Sequence, residues 1–169
     1  MKTTFINHAR NRDYMSGIER DKSRTKSTGE VFTPTNLVQE MIDKLEEQNP
    51  TIFTDPTKTY LDPTCGDGQF LSEIIIRKME RGSSYEEALS TTYGADLMLD
   101  NCKETIKRLY LNKHIKIITI AGNNIPKTMQ RKGLKAIFKL RYPNKTISKY
   151  LNIVQADGLE YDYSFNTHT

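Results

Sequence analysis

The sequence predicts an α/β fold in which helices cover a parallel, doubly wound sheet. Short apolar segments rich in β-branched or aromatic residues alternate with longer segments whose apolar residues recur at helical spacing. Three of the short segments run into an aspartate, at Asp62, Asp96 and Asp157. Ligand sites in such sheets lie at the carboxyl ends of the strands, so these aspartates are candidate site residues. The length of 169 residues fits one domain.

Residues 33–62 are predicted to form a helix, a loop and a strand. The segment "TPTNLVQEMIDKLEEQ" carries apolar residues along one helix face, and Pro34 is tolerated near its start. The prolines of "NPTIFTDPTK" indicate a loop. Tyr60 and Leu61 then form a short strand that ends at Asp62. The next segment, "GQFLSEIIIRKMERG", is a helix that Gly82 closes.

The alternation continues from residue 83 onward. A capping-box pattern opens "SSYEEALSTT", so we expect a short helix there. We expect "TYGADL" to be the next strand and "LDNCKETIKRLYL" the next helix. The β-branched "IKIITIA" predicts a strand, "QRKGLKAIFKLR" a basic helix, and "YLNIVQADGL" a last strand ending at Asp157.

The turn within "YLDPTCGDGQF" carries the strongest indication of a ligand site. Gly66 and Gly68 let the backbone approach a ligand, because glycine has no Cβ and accepts positive φ. The helix that follows offers unpaired N–H groups. The turn is not a Walker loop, because no Gly-Lys-Ser/Thr follows, and it lacks the third glycine of a dinucleotide fingerprint. The Asp62 carboxylate beside it favours a ligand with a cationic end.

Two further aspartates extend this interpretation. Asp96, at a strand end, is suited to accept hydrogen bonds from ribose hydroxyls. Asp157 is suited to accept from an exocyclic amine. A cationic group, a ribose and an adenine together describe S-adenosylmethionine. For any one aspartate a turn or cap role is the alternative, but three at successive strand ends favour the ligand.

Four segments, "GEVFTPTNLVQEMI", "LDPTCGDGQFL", "YGADL" and "IVQADGL", occur in this order. Together they resemble the amino-terminal half of N6-adenine DNA methyltransferases, above all those of type I and type II restriction-modification systems. The resemblance covers about residues 29–160. It implies an abbreviated Rossmann-like methyltransferase fold, S-adenosylmethionine as cofactor and DNA methylation as activity.

The same resemblance implies a cofactor site drawn from three regions of the chain. In chain order its residues are Phe32, Thr33 and Pro34 over the methionine part, Asp62, Thr64, Gly66 and Gly68 around it, Asp96 and Leu97 at the ribose and adenine ring, and Asp157, Gly158 and Leu159 at the adenine amine. Structural roles are the alternative: Phe32 could pack on the next helix, Leu97 could belong to the core, and Gly158 could simply turn the chain.

The resemblance stops short of the reactive centre. Methyltransferases of this family carry an Asn/Asp-Pro-Pro-Tyr/Phe motif after the fourth strand, which holds the flipped adenine. The sequence contains no Pro-Pro pair. We therefore name no catalytic residue. We expect a truncated methyltransferase that supplies the cofactor-binding part and needs a partner for methyl transfer.

Two other interpretations stay open. The chain could be a catalytically inactive, methyltransferase-like protein that binds nucleic acid or a host protein, as a small phage or mobile-element protein would. It could also run other chemistry on the cofactor, such as cleavage. The motifs offer no obvious base for that chemistry, so it ranks last.

Basic residues cluster in one part of the chain. Between Leu111 and Tyr150 there are ten Lys or Arg residues and no Asp or Glu. Such a cluster indicates a polyanion partner, so an insertion at 112–150 is expected to contact nucleic acid, DNA above all, or an acidic protein surface. A solvated basic face is the alternative. The candidate contacts are Lys127, Arg131, Lys132, Lys135, Lys139 and Arg141.

The remaining expectations concern the amino terminus, assembly and location. Residues 1–28 are polar and basic, which predicts a flexible arm before a domain at 29–169. A sheet of few strands leaves an edge and apolar surface exposed, so we expect a homodimer or hetero-complex to cover it. No apolar run nears the roughly 20 residues of a membrane span. Without a secretory signal, a disulfide framework or a metal motif, we expect a cytoplasmic protein with neither membrane nor metal.

Overall fold

A computed structural model describes residues 1–11, 31–111 and 152–161. Helices and strands alternate along most of these ranges, as the sequence predicts. The elements are α1 Lys2–Arg10, α2 Thr35–Gln48, β1 Tyr60–Asp62, α3 Gln69–Glu80, α4 Tyr85–Ser90, β2 Thr92–Asp96, α5 Leu99–Leu109 and β3 Ile153–Gln155.

The strands form a parallel sheet in the order β1-β2-β3. Leu61 is opposite Tyr93, and Ala95 is opposite Val154. The carboxyl ends of all three strands therefore meet at one edge of the sheet. The α/β class is confirmed, and the arrangement is compatible with a Rossmann-like fold.

Helices α3 and α5 form the main core together with α1. Both long helices carry apolar residues at helical spacing, and these residues pack into one buried cluster with Cys65 and Ile153. Short side chains on β2 permit this packing: a Cβ on Gly94 would lie 2.7 Å from a methyl carbon of Leu71. The sheet therefore approaches α3 closely at the strand that leads to Asp96.

The amino-terminal helix differs from the predicted flexible arm. Phe5 and Ala9 of α1 are fully buried in the main core, and the Phe5 ring lies 5.1 Å from the ring of Tyr85. Burial of Phe5 removes a large apolar surface from water, which is why so polar a segment packs rather than stays extended. The arm prediction is wrong for Lys2–Arg10, while residues 12–28 lie outside the described ranges.

Helix α2 packs along the other side of α3. Val38 and Ile42 are buried in a second cluster with Phe53 and Ile74, and the Tyr60 ring stacks on Phe53 at 5.4 Å. The same cluster therefore fixes the start of β1. A different stripe of α2, formed by Leu37, Met41 and Leu45, remains exposed.

Several predictions fall on residues that the structure does not describe. The segments "IKIITIA" and "QRKGLKAIFKLR" and the basic insertion at 112–150 all lie outside the described ranges. Among the described strands, β1 pairs only with β2, so its other edge is unpaired within this sheet. That a second chain covers this edge stays a prediction. Within the three described ranges, none of the helices has the length and apolar character that crossing a membrane requires.

Candidate functional site

The glycine turn after β1 is held against the end of β2. The Cys65 N–H donates to the Ala95 carbonyl at 2.9 Å, and the Gly68 N–H donates to the Cys65 carbonyl at 2.8 Å. Gly66 and Gly68 have φ values of 53° and 81°, in the left-handed region that favours glycine. The turn therefore has one defined shape, which leads directly into α3.

Asp96 ties this turn to the start of α5. Its carboxylate accepts from the Gly66 N–H at 2.9 Å, from the Met98 N–H at 2.8 Å and from the Asn101 side-chain amide at 3.1 Å. Only 8% of the residue is exposed. A carboxylate with this many donors is fixed in orientation. Asp96 thus shapes the site as well as lining it.

Asp62 has a different environment. Its Oδ1 accepts from the Thr64 N–H at 3.0 Å, which closes a small turn at the end of β1. Burial raises the pKa of the Asp62 carboxyl above its usual value, the Thr64 N–H opposes that rise, and the nearby Asp96 carboxylate adds to it. A cation placed beside Asp62 would favour the ionised form.

The third aspartate lies in a turn beyond β3. The strand ends at Gln155, two residues earlier than the sequence predicts, and the exposed Asp157 accepts from the Leu159 N–H at 2.9 Å. A Cβ on Gly158 would lie 2.3 Å from the Pro63 carbonyl oxygen, so only glycine permits this contact. Gly158 thereby brings the Asp157 turn against the turn after β1.

These three regions enclose an open cavity of about 530 Å³. Its mouth carries exposed apolar side chains, and a Cβ added to Gly66 would lie 3.6 Å from the Phe32 ring. Eight of the predicted cofactor residues line it, and Val31, Pro63, Met98 and Asn101 complete the wall. The eight are Phe32, Thr64, Gly66, Asp96, Leu97, Asp157, Gly158 and Leu159.

Four predicted residues lie outside the cavity wall. Thr33 and Pro34 precede α2, and Pro34 is its N-cap. Asp62 does not line the cavity, although the residue after it, Pro63, does. Gly68 packs against α5 instead, because a Cβ there would lie 2.9 Å from the Thr105 methyl carbon. Gly68 therefore lacks a side chain so that α5 can pack against it, and not so that a ligand can approach the backbone.

The residues that sequence reasoning missed lie behind the turn. Arg108 of α5 forms a buried ion pair with Asp67, which stands between the two glycines. Thr105 donates to the Gly66 carbonyl at 2.9 Å. The sequence feature that could have indicated this pair is Asp67, an acidic residue in a short turn. If such a residue is buried, a cationic side chain must pair with it. The pairing residue on a distant helix carried no local signal.

The described site therefore combines two carboxylates, a rigid backbone turn and an apolar mouth. Comparison of the chain with protein-family models, with curated proteins and with solved structures finds no match. A cavity of this size and character suits a mid-sized ligand with both polar and apolar parts.

The contact between Gly68 and Thr105 gives a stability prediction. Gly68→Ala introduces strain at positive φ and a clash with α5, so we expect a loss of about 2–5 kcal/mol in the free energy of unfolding. Gly82→Ala is the matched control: its φ is 106° and nothing lies within 4 Å of the added Cβ. It should lose only about 1–2 kcal/mol. Urea denaturation measures both, and equal losses would contradict the packing role.

Proposed function

We propose that this chain is the S-adenosylmethionine-binding part of an N6-adenine DNA methyltransferase. The observation that carries the proposal is the convergence of the Asp62, Asp96 and Asp157 regions around one cavity of about 530 Å³. Known ligand pockets span roughly 300–1,000 Å³. The position at the carboxyl ends of parallel strands is where ligands of such sheets bind.

The negative charge of the site favours a cationic ligand such as this one. S-adenosylmethionine carries a sulfonium and an ammonium against one carboxylate, so it is a net cation. Burial opposes the ionisation of Asp62, and a cation beside it would relieve that cost. Phe32 and Gly66 line the same cavity and lie next to each other, which suits enclosure of the methionine part.

The other end of the cavity suits an adenosine. Asp96 lies at the end of β2, in reach of ribose hydroxyls in this proposal. Leu97 and Leu159 are 53% and 97% exposed at the mouth. Exposed apolar side chains at the mouth of a cavity offer a surface on which a flat apolar group can pack. An adenine ring is a group of this kind.

Methyl transfer requires more than the cofactor site. The aromatic and amide groups that hold a flipped adenine come from an Asn/Asp-Pro-Pro-Tyr/Phe motif in the family, and the sequence has no Pro-Pro pair. In this proposal these groups come from outside residues 1–169, for example from a partner. The same observation favours a second candidate, a methyltransferase-like binding protein without transfer activity.

The charge of Asp62 gives the first functional test. Asp62→Asn keeps the acceptor for the Thr64 N–H but removes the charge, so we expect about tenfold weaker binding of S-adenosylmethionine at neutral pH, which corresponds to about 1.4 kcal/mol. The raised pKa of Asp62 means that the wild-type carboxyl takes up a proton as the pH falls towards the usual aspartate range. Wild-type affinity should therefore fall in that window, and the variant's affinity should fall less.

The chain contains its own control for this test. Asp55-Pro56-Thr57 repeats the tripeptide of Asp62-Pro63-Thr64, and the Asp55 carboxylate likewise accepts from the Thr57 N–H, at 2.8 Å. Asp55→Asn should leave the affinity unchanged in isothermal titration calorimetry. Binding by Asp62→Asn that equals the wild type would refute the role of its charge.

We propose DNA as the partner of the basic insertion at 112–150. The ten basic residues there carry this part of the proposal. Phosphate contacts release counterions, so the affinity for duplex DNA should fall by orders of magnitude between about 50 mM and 200 mM salt and depend little on sequence. Lys132→Glu with Lys135→Glu should weaken binding, whereas Lys44→Glu on α2 should not. A salt-independent affinity measured by fluorescence anisotropy would exclude phosphate binding.

A further inference from the structure

Arg108 links the glycine turn to the amino-terminal helix through one buried guanidinium. Its Nε donates to the Asp67 carbonyl at 2.9 Å and its Nη2 to the Asp67 carboxylate at 2.7 Å. Its Nη1 donates to the Gln69 side chain and to the carbonyl of Ala9, the latter at 3.2 Å. Only 1% of Arg108 is exposed. One side chain therefore contacts α1, the turn and the start of α3 together.

Helix α1 has two further polar attachments. The His8 imidazole donates to the Lys107 carbonyl at 2.7 Å, next to Arg108. Arg10 donates through two nitrogens to the buried Glu73 carboxylate of α3, at 3.0 and 2.9 Å. These contacts align the last turn of α1 so that the Ala9 carbonyl faces Arg108.

A buried guanidinium is stable only when protein acceptors pair its donors, because burial removes the water that would otherwise pair them. If α1 separates, Arg108 loses the Ala9 carbonyl and gains solvent access. The competing water then weakens its hold on Asp67, which stands between Gly66 and Gly68. The shape of the turn is thus linked to the docking of a helix that lines no part of the cavity.

We propose that α1 and Arg108 position the glycine turn, so that docking of α1 and ligand binding in the cavity favour each other. Arg108 is a positioning residue and touches no ligand. The identity of the ligand rests on the proposed function above, but the link between α1 and the turn does not. Coupling of this kind is reciprocal, so a bound ligand must also hold α1 more firmly in place.

The first test needs no ligand and uses the full chain. Arg10→Ala loosens α1 without touching the turn, and Arg81→Ala is its control. The two arginines are 41% and 42% exposed, and each pairs with a glutamate of the helix layer. The quantity to measure is amide hydrogen exchange by NMR at Cys65, Gly66 and Gly68, whose N–H groups are hydrogen-bonded.

Arg10→Ala should speed exchange at these three amides at least about fivefold, the lower end of typical coupling between sites. Arg81→Ala should leave them unchanged. If α1 alone exchanges faster, or if both variants speed the turn equally, the proposal is overturned. Thermal unfolding of both variants ensures that only folded protein is compared.

The second test uses S-adenosylmethionine as the probe. Arg10→Ala should bind it at least about fivefold more weakly than Arg81→Ala, and the ligand should slow exchange in α1 of the wild type. Arg108→Lys keeps the charge but cannot span four acceptors, so it should weaken binding likewise. Equal affinities with unchanged α1 exchange would refute the coupling. If the wild type itself does not bind, the proposed function fails and the ligand-free exchange test alone decides.

Discussion

The buried ion pair between Arg108 and Asp67 is the constraint on which the rest of the site depends. A buried pair stabilises a fold only when its geometry is good and its remaining donors are satisfied. Here the guanidinium meets both conditions by reaching the turn, α3 and α1 at once. If the glycine turn rotated away from α5, the buried charges of Arg108 and Asp67 would lose each other as partners. Gln69 extends the network to the start of α2, because its amide donates to the Thr35 hydroxyl at 2.6 Å.

Asp96 and Asp62, at the ends of neighbouring strands, have different roles in the site. Asp96 accepts three hydrogen bonds from the protein, so its first role is to fix the turn against α5. Asp62 accepts from the Thr64 N–H, and its ionisation is opposed by burial and by Asp96. A cation beside Asp62 would therefore offset the cost of ionising this carboxyl. Position decides this, because Asp55 occurs in the same tripeptide in an exposed loop.

Local signals made much of the fold predictable. The strands at Tyr60–Asp62 and Thr92–Asp96 follow from short apolar segments, and the capping box at Ser84 forms as the pattern indicates. Eight of the residues predicted to bind the cofactor line one cavity because the ends of parallel strands share an edge.

What the sequence did not reveal depends on contacts between distant segments. Helix α1 buries only Phe5 and Ala9, too few apolar residues for a periodic pattern. Arg108 has no feature that separates a buried arginine from a solvated one on an amphipathic helix. The role of Gly68 likewise depends on Thr105, which packs against it from another helix.

The most direct test of the proposal that the cavity binds S-adenosylmethionine is a titration followed by backbone amide chemical shifts. We expect saturable shifts that are largest at Gly66, Leu97 and Leu159, with little change in α4. Saturable shifts centred elsewhere, or no saturable shift at millimolar ligand, about the weakest affinity of interest, would contradict it.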